Sequence, residues 1–197
     1  MMTNTRSSTA DNTPDARAAG NGGMPGLRGA EHIGFTVPDL EEAVTFFRDV
    51  LGCEEFYDLG AFGADADDWM TENLDVHPRA RIRTMRMLRC GYGSNIELFE
   101  YQSPDQRKEQ PNNADVGGHH IAFYVDDIDA AVAHLKQHNI KVCGEPKLME
   151  NNPEGGLRWC YFVSPWGMNF ELVSYPNGKD YEKDFSGKLW NPVHPDA

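Results

Sequence analysis

Residues 31–47 read EHIGFTVPDLEEAVTFF, and residues 119–135 read HHIAFYVDDIDAAVAHL. At a fixed displacement of 88 positions (31 to 119), His32, Ile33, Phe35, Val37, Asp39, Ala43 and Val44 recur as His120, Ile121, Phe123, Val125, Asp127, Ala131 and Val132. Two unrelated segments of this length share about one identity by chance at average residue usage. The chain therefore contains the same structural unit twice. Each copy opens with strict alternation: Ile33, Phe35 and Val37 on one face against His32, Gly34 and Thr36 on the other, and Ile121, Phe123 and Val125 against His120, Ala122 and Tyr124. A period of two with one apolar face predicts a strand half-covered by a helix.

The helix follows at once. Asp39 and Asp127 stand where an N-cap belongs, and Glu42 sits three residues after Asp39, the spacing of a capping box. Leu40, Val44, Phe47 and Leu51 recur at helical spacing before Gly52, and Ile128, Val132 and Leu135 form the matching stripe. Further strands are predicted at 82–90, 94–101, 140–148, 158–163 and 168–175, so that each half reads β-α-β-β-β. The expected fold class is α+β, two tandem βαβββ modules. The expected layout is a disordered N-terminal tail over 1–28, a first module over 29–110 carrying an insertion at 58–81, a second module over 111–176, and a C-terminal extension over 177–197. Tyr181, Phe185 and Trp190 in that extension imply that it packs over a cleft or on a second subunit. Residues 102–117 (QSPDQRKEQPNNADVG) read as the polar linker between halves.

Composition narrows the function. A net charge of −13 over 197 residues argues against nucleic acid or an anionic membrane as the main partner. No apolar run is long enough to span a bilayer, and the first residues lack the apolar core of a secretory signal. The setting read from this is cytoplasmic. Cys53, Cys90, Cys143 and Cys160 are dispersed, without a Cys-x-x-Cys pair, and are expected to be reduced, buried small hydrophobes.

The chemistry lies on strand faces. His32 and His120 oppose their apolar stripes; in SNIELFEY (94–101) Glu97 shares a face with Phe99 and Tyr101, and in MNFELVSY (168–175) Glu171 shares one with Val173. Each half thus offers one histidine on its first strand and one glutamate on its last. Two neutral imidazoles and two carboxylates suit a borderline divalent ion (Zn, Ni, Co, Mn or Fe(II)) rather than calcium. Alternation turns His119 and Glu100 to the other face. His77 falls in the insertion, and His134, His138 and His194 read as solvent-facing.

The duplicated HIxFxV strand with its Asp-capped helix, the xIELxxY strand and the SPWGMNFEL stretch (164–172) together resemble the vicinal oxygen chelate superfamily. That group includes glyoxalase I, methylmalonyl-CoA epimerase, type I extradiol dioxygenases and the bleomycin and fosfomycin resistance proteins. The resemblance covers 31–175; Ser164 stands where the family's turn usually has Asp, with Pro165 and Gly167 kept. It implies a cupped mixed sheet around one metal ion held by His32, Glu97, His120 and Glu171, and a homodimer. A metal with open positions can bind neighbouring oxygens of a small substrate and stabilise the enolate formed when a carbon-bound proton leaves. Glu171 or Glu97 is the expected base, giving glyoxalase-type lyase, isomerase or epimerase chemistry. The alternative is a two-His, one-carboxylate Fe(II) site for extradiol-type dioxygenation, which leaves Glu97 off the metal. A third reading is a small-molecule-binding resistance protein, whose metal-free members typically lack the ligand set. Tyr101 and Tyr124 lie on suitable faces for substrate. The cluster Arg79, Arg81, Arg83, Arg86, Arg89 reads either as a charged strand edge or as a recognition site for an anionic substrate, with Arg83 and Arg86 as the binding residues.

Overall fold

The computed structural model describes residues 24–187 and 189–195. The chain divides after Glu31. In the short first unit the described residues make a turn closed by the Leu27 N–H on the Met24 carbonyl; most of the tail expected to be disordered, 1–23, lies outside the described residues. The second unit, from His32 onward, holds both modules.

The first module runs β1 (His32–Thr36), α1 (Leu40–Thr45) continued by a π-helical turn (Phe46–Val50), β2 (Glu54–Leu59), β3 (Phe62–Gly63), α2 (Trp69–Leu74), β4 (Arg81–Arg89) and β5 (Asn95–Gln102). The second runs β6 (His120–Tyr124), α3 (Ile128–Gln137), β7 (Lys141–Leu148), β8 (Arg158–Val163) and β9 (Asn169–Ser174), followed by α4 (Asp180–Asp184). The sheets have matching orders, β1-β5-β4-β2 and β6-β9-β8-β7, with β3 added on β4. In each, the first strand lies parallel to the last and the other pairs are antiparallel.

Both helix starts follow from their caps. Asp39 Oδ1 accepts from Glu42 N at 2.9 Å, and Asp127 Oδ1 accepts from Asp129 N and Ala130 N at 3.0 Å. Glu100, on the helix side of β5, adds an acceptor for Leu40 N at 3.1 Å, where a carboxylate also meets the positive end of the helix. Ser164 supplies what an Asp would in its turn: its Oγ accepts from Met168 N at 2.9 Å. A bidentate pair, Arg158 with Asp129 at 2.8 and 2.9 Å, ties the first turn of α3 to β8. The guanidinium bonds hold the Asp129 carboxyl below the usual carboxylate range. A lowered folded-state value means stability that is present at neutral pH and lost as pH falls through the carboxylate range. Asp129→Asn is therefore expected to lower the melting temperature at pH 7, with the gap to wild type closing towards pH 3; a gap independent of pH refutes this.

The helix-bearing faces of the two sheets share one core, in which Phe47, Leu88 and Leu98 of the first module meet Ile128, Phe162 and Phe170 of the second. Phe170 is its hub. Its ring lies 5.5 Å from Phe162 and 5.9 Å from Phe46 in stacked geometry, and 5.8 Å from Phe47 edge-on.

One expectation is corrected. Cys53 and Cys90 form a disulfide with Cα atoms 4.3 Å apart. The β2–β4 register, with Glu54 opposite Arg89, sets these cysteines at the next position of the same ladder, a proximity that only the strand pairing creates. Cys160 is buried and Cys143 exposed, both as thiols. The stretch expected to be an insertion at 58–81 contains the end of β2, β3 and α2. Strand β2 is exposed along its whole length, so it carries no apolar alternation by which to recognise it.

Candidate active site

Parallel pairing sets Gly34 opposite Glu97 and Ala122 opposite Glu171, two residues beyond each histidine and so on its face of the strand. His32 Nε2 then lies 3.3 Å from Glu97 Oε2, and His120 Nε2 lies 3.3 Å from Glu171 Oε2. The equal distances are a direct result of the repeat. Donors on neighbouring positions of one ion, each bound at about 2.0–2.2 Å, stand roughly 3 Å apart, so each pair has the separation of two ligands to a common metal. The small residue between them matters: a Cβ on Gly34 would stand 3.0 Å from Glu97 Oε2.

The four groups do not meet within one chain. Among the described residues no group of three or more His, Cys, Asp or Glu gathers in metal-holding geometry. The reason lies in the packing: the shared core uses the helix-bearing faces of both sheets, and the histidines and glutamates occupy the opposite faces. Within one chain the four groups expected to hold a metal stand as two separate His–Glu pairs, one per module, each called a half-site below.

The second half-site opens into a cleft of about 1030 Å³. His120 and Glu171 line it together with Tyr124, Trp159 and Tyr161 from the sheet. The C-terminal extension supplies another wall through Lys179, Tyr181 and Trp190, which answers the question raised by its aromatics. Lys179 Nζ sits 3.9 Å from the centre of the Tyr175 ring and 4.8 Å from that of Tyr181, a cation–π cage. The first module reaches the cleft through Cys90, Gly91 and Tyr92 in the β4–β5 turn, and Trp190 packs on Gly93, where a Cβ would come within 3.2 Å of its ring. Burial pushes the Glu171 carboxyl above the ordinary value, with His120 opposing the rise. Burial and the nearby Glu171 charge push the Tyr161 hydroxyl up.

Tyr161 escaped the sequence reading. It lies directly opposite Glu171 on β8, and its hydroxyl is 3.2 Å from His120 Nε2; only the register reveals this. Tyr101 lies on the first-module sheet against Phe99, away from the cleft. The arginines are engaged elsewhere. Arg86 lies opposite Leu98 on the helix-bearing face, paired with Glu55 at 2.9 Å, Asp58 at 3.0 Å and Glu41 at 3.2 Å. Arg83 pairs with Glu100 at 3.3 Å, and Arg79 fastens the segment at Ala64, Asp67 and Asp68. Arg83 and Arg86, the residues expected to bind an anionic group, are thus paired with carboxylates on the side of the sheet away from the histidines. The cleft itself sets three carboxylates, Asp126, Glu154 and Glu171, against the ammonium of Lys179. His119 Nδ1 contacts the Gly117 carbonyl at 2.9 Å, and His77 Nδ1 accepts from Arg79 N at 3.0 Å.

Duplicated βαβββ sheets with a histidine on each first strand and a glutamate on each last define a family, and residues 31–161 match the model of the Glyoxalase/Bleomycin resistance protein/Dioxygenase superfamily. The chain belongs to that superfamily. It is 45% identical over 171 residues to a 2-epi-5-epi-valiolone epimerase from Actinomyces sp, covering 86% of this chain and 92% of that protein. It is 34% identical over 120 residues to an ethylmalonyl-CoA/methylmalonyl-CoA epimerase from Cereibacter sphaeroides, covering 59% and 77% of the two chains. A glyoxalase family protein from Bacillus cereus shares the fold, with a TM-score of 0.60 at 20% identity over 77% of this chain and 98% of that one. The similarity to epimerases supports an enzyme of isomerase type.

Proposed function

We propose that the chain is a metal-dependent epimerase that inverts a carbon next to the carbonyl of a small, neutral, polyhydroxylated ketone. We further propose that each site joins His32 and Glu97 of one copy to His120 and Glu171 of a second. The observation that carries the reading is the pair of equal 3.3 Å His–Glu separations in a chain 45% identical to a 2-epi-5-epi-valiolone epimerase. Two half-sites on opposite faces of one chain can complete each other only between copies, and a twofold dimer completes both at once.

His32, Glu97, His120 and Glu171 would hold a divalent ion, which would supply Lewis acidity to a carbonyl oxygen when bound. The protein's own residues supply the rest. Glu171 takes the carbon-bound proton, and the electron pair of the broken C–H bond moves towards the carbonyl oxygen. The Glu97 carboxyl of the second copy returns a proton to the opposite face, and solvent exchange resets the two carboxyls. Tyr124 and Tyr161 offer hydroxyls, and Trp159 an apolar face, to a ring bearing several OH groups. The carboxylates of the cleft disfavour a substrate that carries phosphates, which separates a polyol ketone from an acyl-CoA. An oxygenase reading requires Glu97 off the metal, whereas Glu97 stands to His32 as Glu171 stands to His120.

The test is solvent exchange. With 2-epi-5-epi-valiolone in D₂O, the metal-loaded protein is expected to place deuterium on the carbon beside the carbonyl, to stop after EDTA treatment and to resume with added divalent ion. Absence of wash-in, or full turnover by both Glu97→Gln and Glu171→Gln, overturns the proposal.

A further inference from the structure

We infer that Asn113 is a positioning residue for His120: its side-chain oxygen holds the imidazole proton on Nδ1 and so keeps Nε2 as a lone pair facing the site. The inference rests on the reading of His120 as a ligand through Nε2. A neutral imidazole has one proton, and bonding a metal through Nε2 forces that proton to Nδ1, where it needs an acceptor. Asn113 Oδ1 lies 3.4 Å from His120 Nδ1. On the other side of the ring, Nε2 faces the Tyr161 hydroxyl at 3.2 Å and Glu171 at 3.3 Å. With Nδ1 protonated, Nε2 accepts from the Tyr161 hydroxyl; the Glu171 carboxylate draws the proton the other way, towards Nε2, and Asn113 is the acceptor at Nδ1 that opposes it.

Asn113 comes from the linker between modules, which is built to reach this point. Asn112 N donates to Asp115 Oδ2 at 2.8 Å, Asp115 N donates to the Asn112 carbonyl at 2.9 Å, and Gly118 N donates to the Asp115 carbonyl at 2.8 Å. These bonds fold the 112–115 turn back onto the start of β6. The fold-back depends on glycine: a Cβ on Gly118 would fall 2.1 Å from the Asn112 carbonyl oxygen and 3.0 Å from the Asn113 carbonyl carbon. The linker thus behaves as a bracket for one ligand, and the polar composition that marked it as a spacer conceals that role. Outer partners of metal-bound histidines fix tautomer and ring orientation, and removing one typically weakens metal binding 10–100-fold.

Two readouts test this on the full-length protein. Zinc affinity, measured by competition with a chromophoric chelator, is expected to fall about 10–100-fold in Asn113→Ala and to recover in Asn113→Asp, which keeps an acceptor; Gly118→Ala, which displaces the turn, is expected to behave like Asn113→Ala. The ¹⁵N shifts of the His120 ring in the metal-free protein at alkaline pH, assigned by comparison with His120→Gln, are expected to report Nδ1–H in wild type and a shift towards Nε2–H in Asn113→Ala. A wild type that binds no zinc sinks the metal reading, and the ring shifts still judge Asn113. Unchanged zinc affinity in Asn113→Ala, or a wild-type ring protonated mainly on Nε2, overturns the inference.

Discussion

Co-expression of His32→Ala and His120→Ala chains is expected to restore about a quarter of wild-type turnover, although each variant alone is inactive, because random pairing of the two chains makes half of the dimers mixed and a twofold mixed dimer keeps one of its two sites intact. In the mixed dimer, one site combines both damaged halves. The other joins the sound second module of the His32→Ala chain to the sound first module of the His120→Ala chain. Bound metal should follow the same proportion. The arithmetic is sensitive to where the ligands come from. If all four served a site within one chain, every site in the mixture would lack a histidine, and recovery would be nil. Zero recovery in a sample shown to contain mixed dimers therefore removes the two-copy site.

Phe170→Ala should cost about 3–5 kcal/mol of folding stability, the usual range for deleting a large buried ring. The ring is fully buried and touches Phe46 and Phe47 of the first module as well as Phe123, Phe162 and Trp166 of the second. Its loss leaves a void bordered by both modules, so the denaturant midpoint should fall while unfolding stays a single transition. Phe185→Ala is the control. That ring is 51% exposed in the extension, and surface changes of this kind usually move stability by about 0.5 kcal/mol or less. A cost for Phe170→Ala near that of the control, or two separate transitions in the wild type, would mean that the modules do not share this core.

How far the sequence spoke depended on the range of the contact. Alternation in HIGFT and HIAFY, and the aspartates after them, act within a few residues, and the strands and capped helices they specify are present. The pairing of each histidine with its own glutamate also follows from faces, once first and last strands are neighbours. Between-strand placement was not legible. Tyr161 reaches His120 only through the β8–β9 register, and Cys53 reaches Cys90 only through that of β2 and β4. The partners of the arginines were equally hidden, because composition counts charges without their neighbours: Arg86 resides among Glu41, Glu55 and Asp58. That the two His–Glu pairs stand apart within one chain was the least legible of all. Which face of a module packs inward is decided by the aromatic core around Phe170, and no local pattern reports it.

The turn that carries Tyr92 into the second module's cleft, and on whose Gly93 Trp190 rests, begins at Cys90, which is covalently fastened to Cys53 beside the first helix. The rim of one module's chamber is thus owned by its neighbour and moored there. Although the two halves descend from a common plan, they have ceased to be interchangeable parts: a chain rebuilt from two second modules would carry two His–Glu pairs and no such rim.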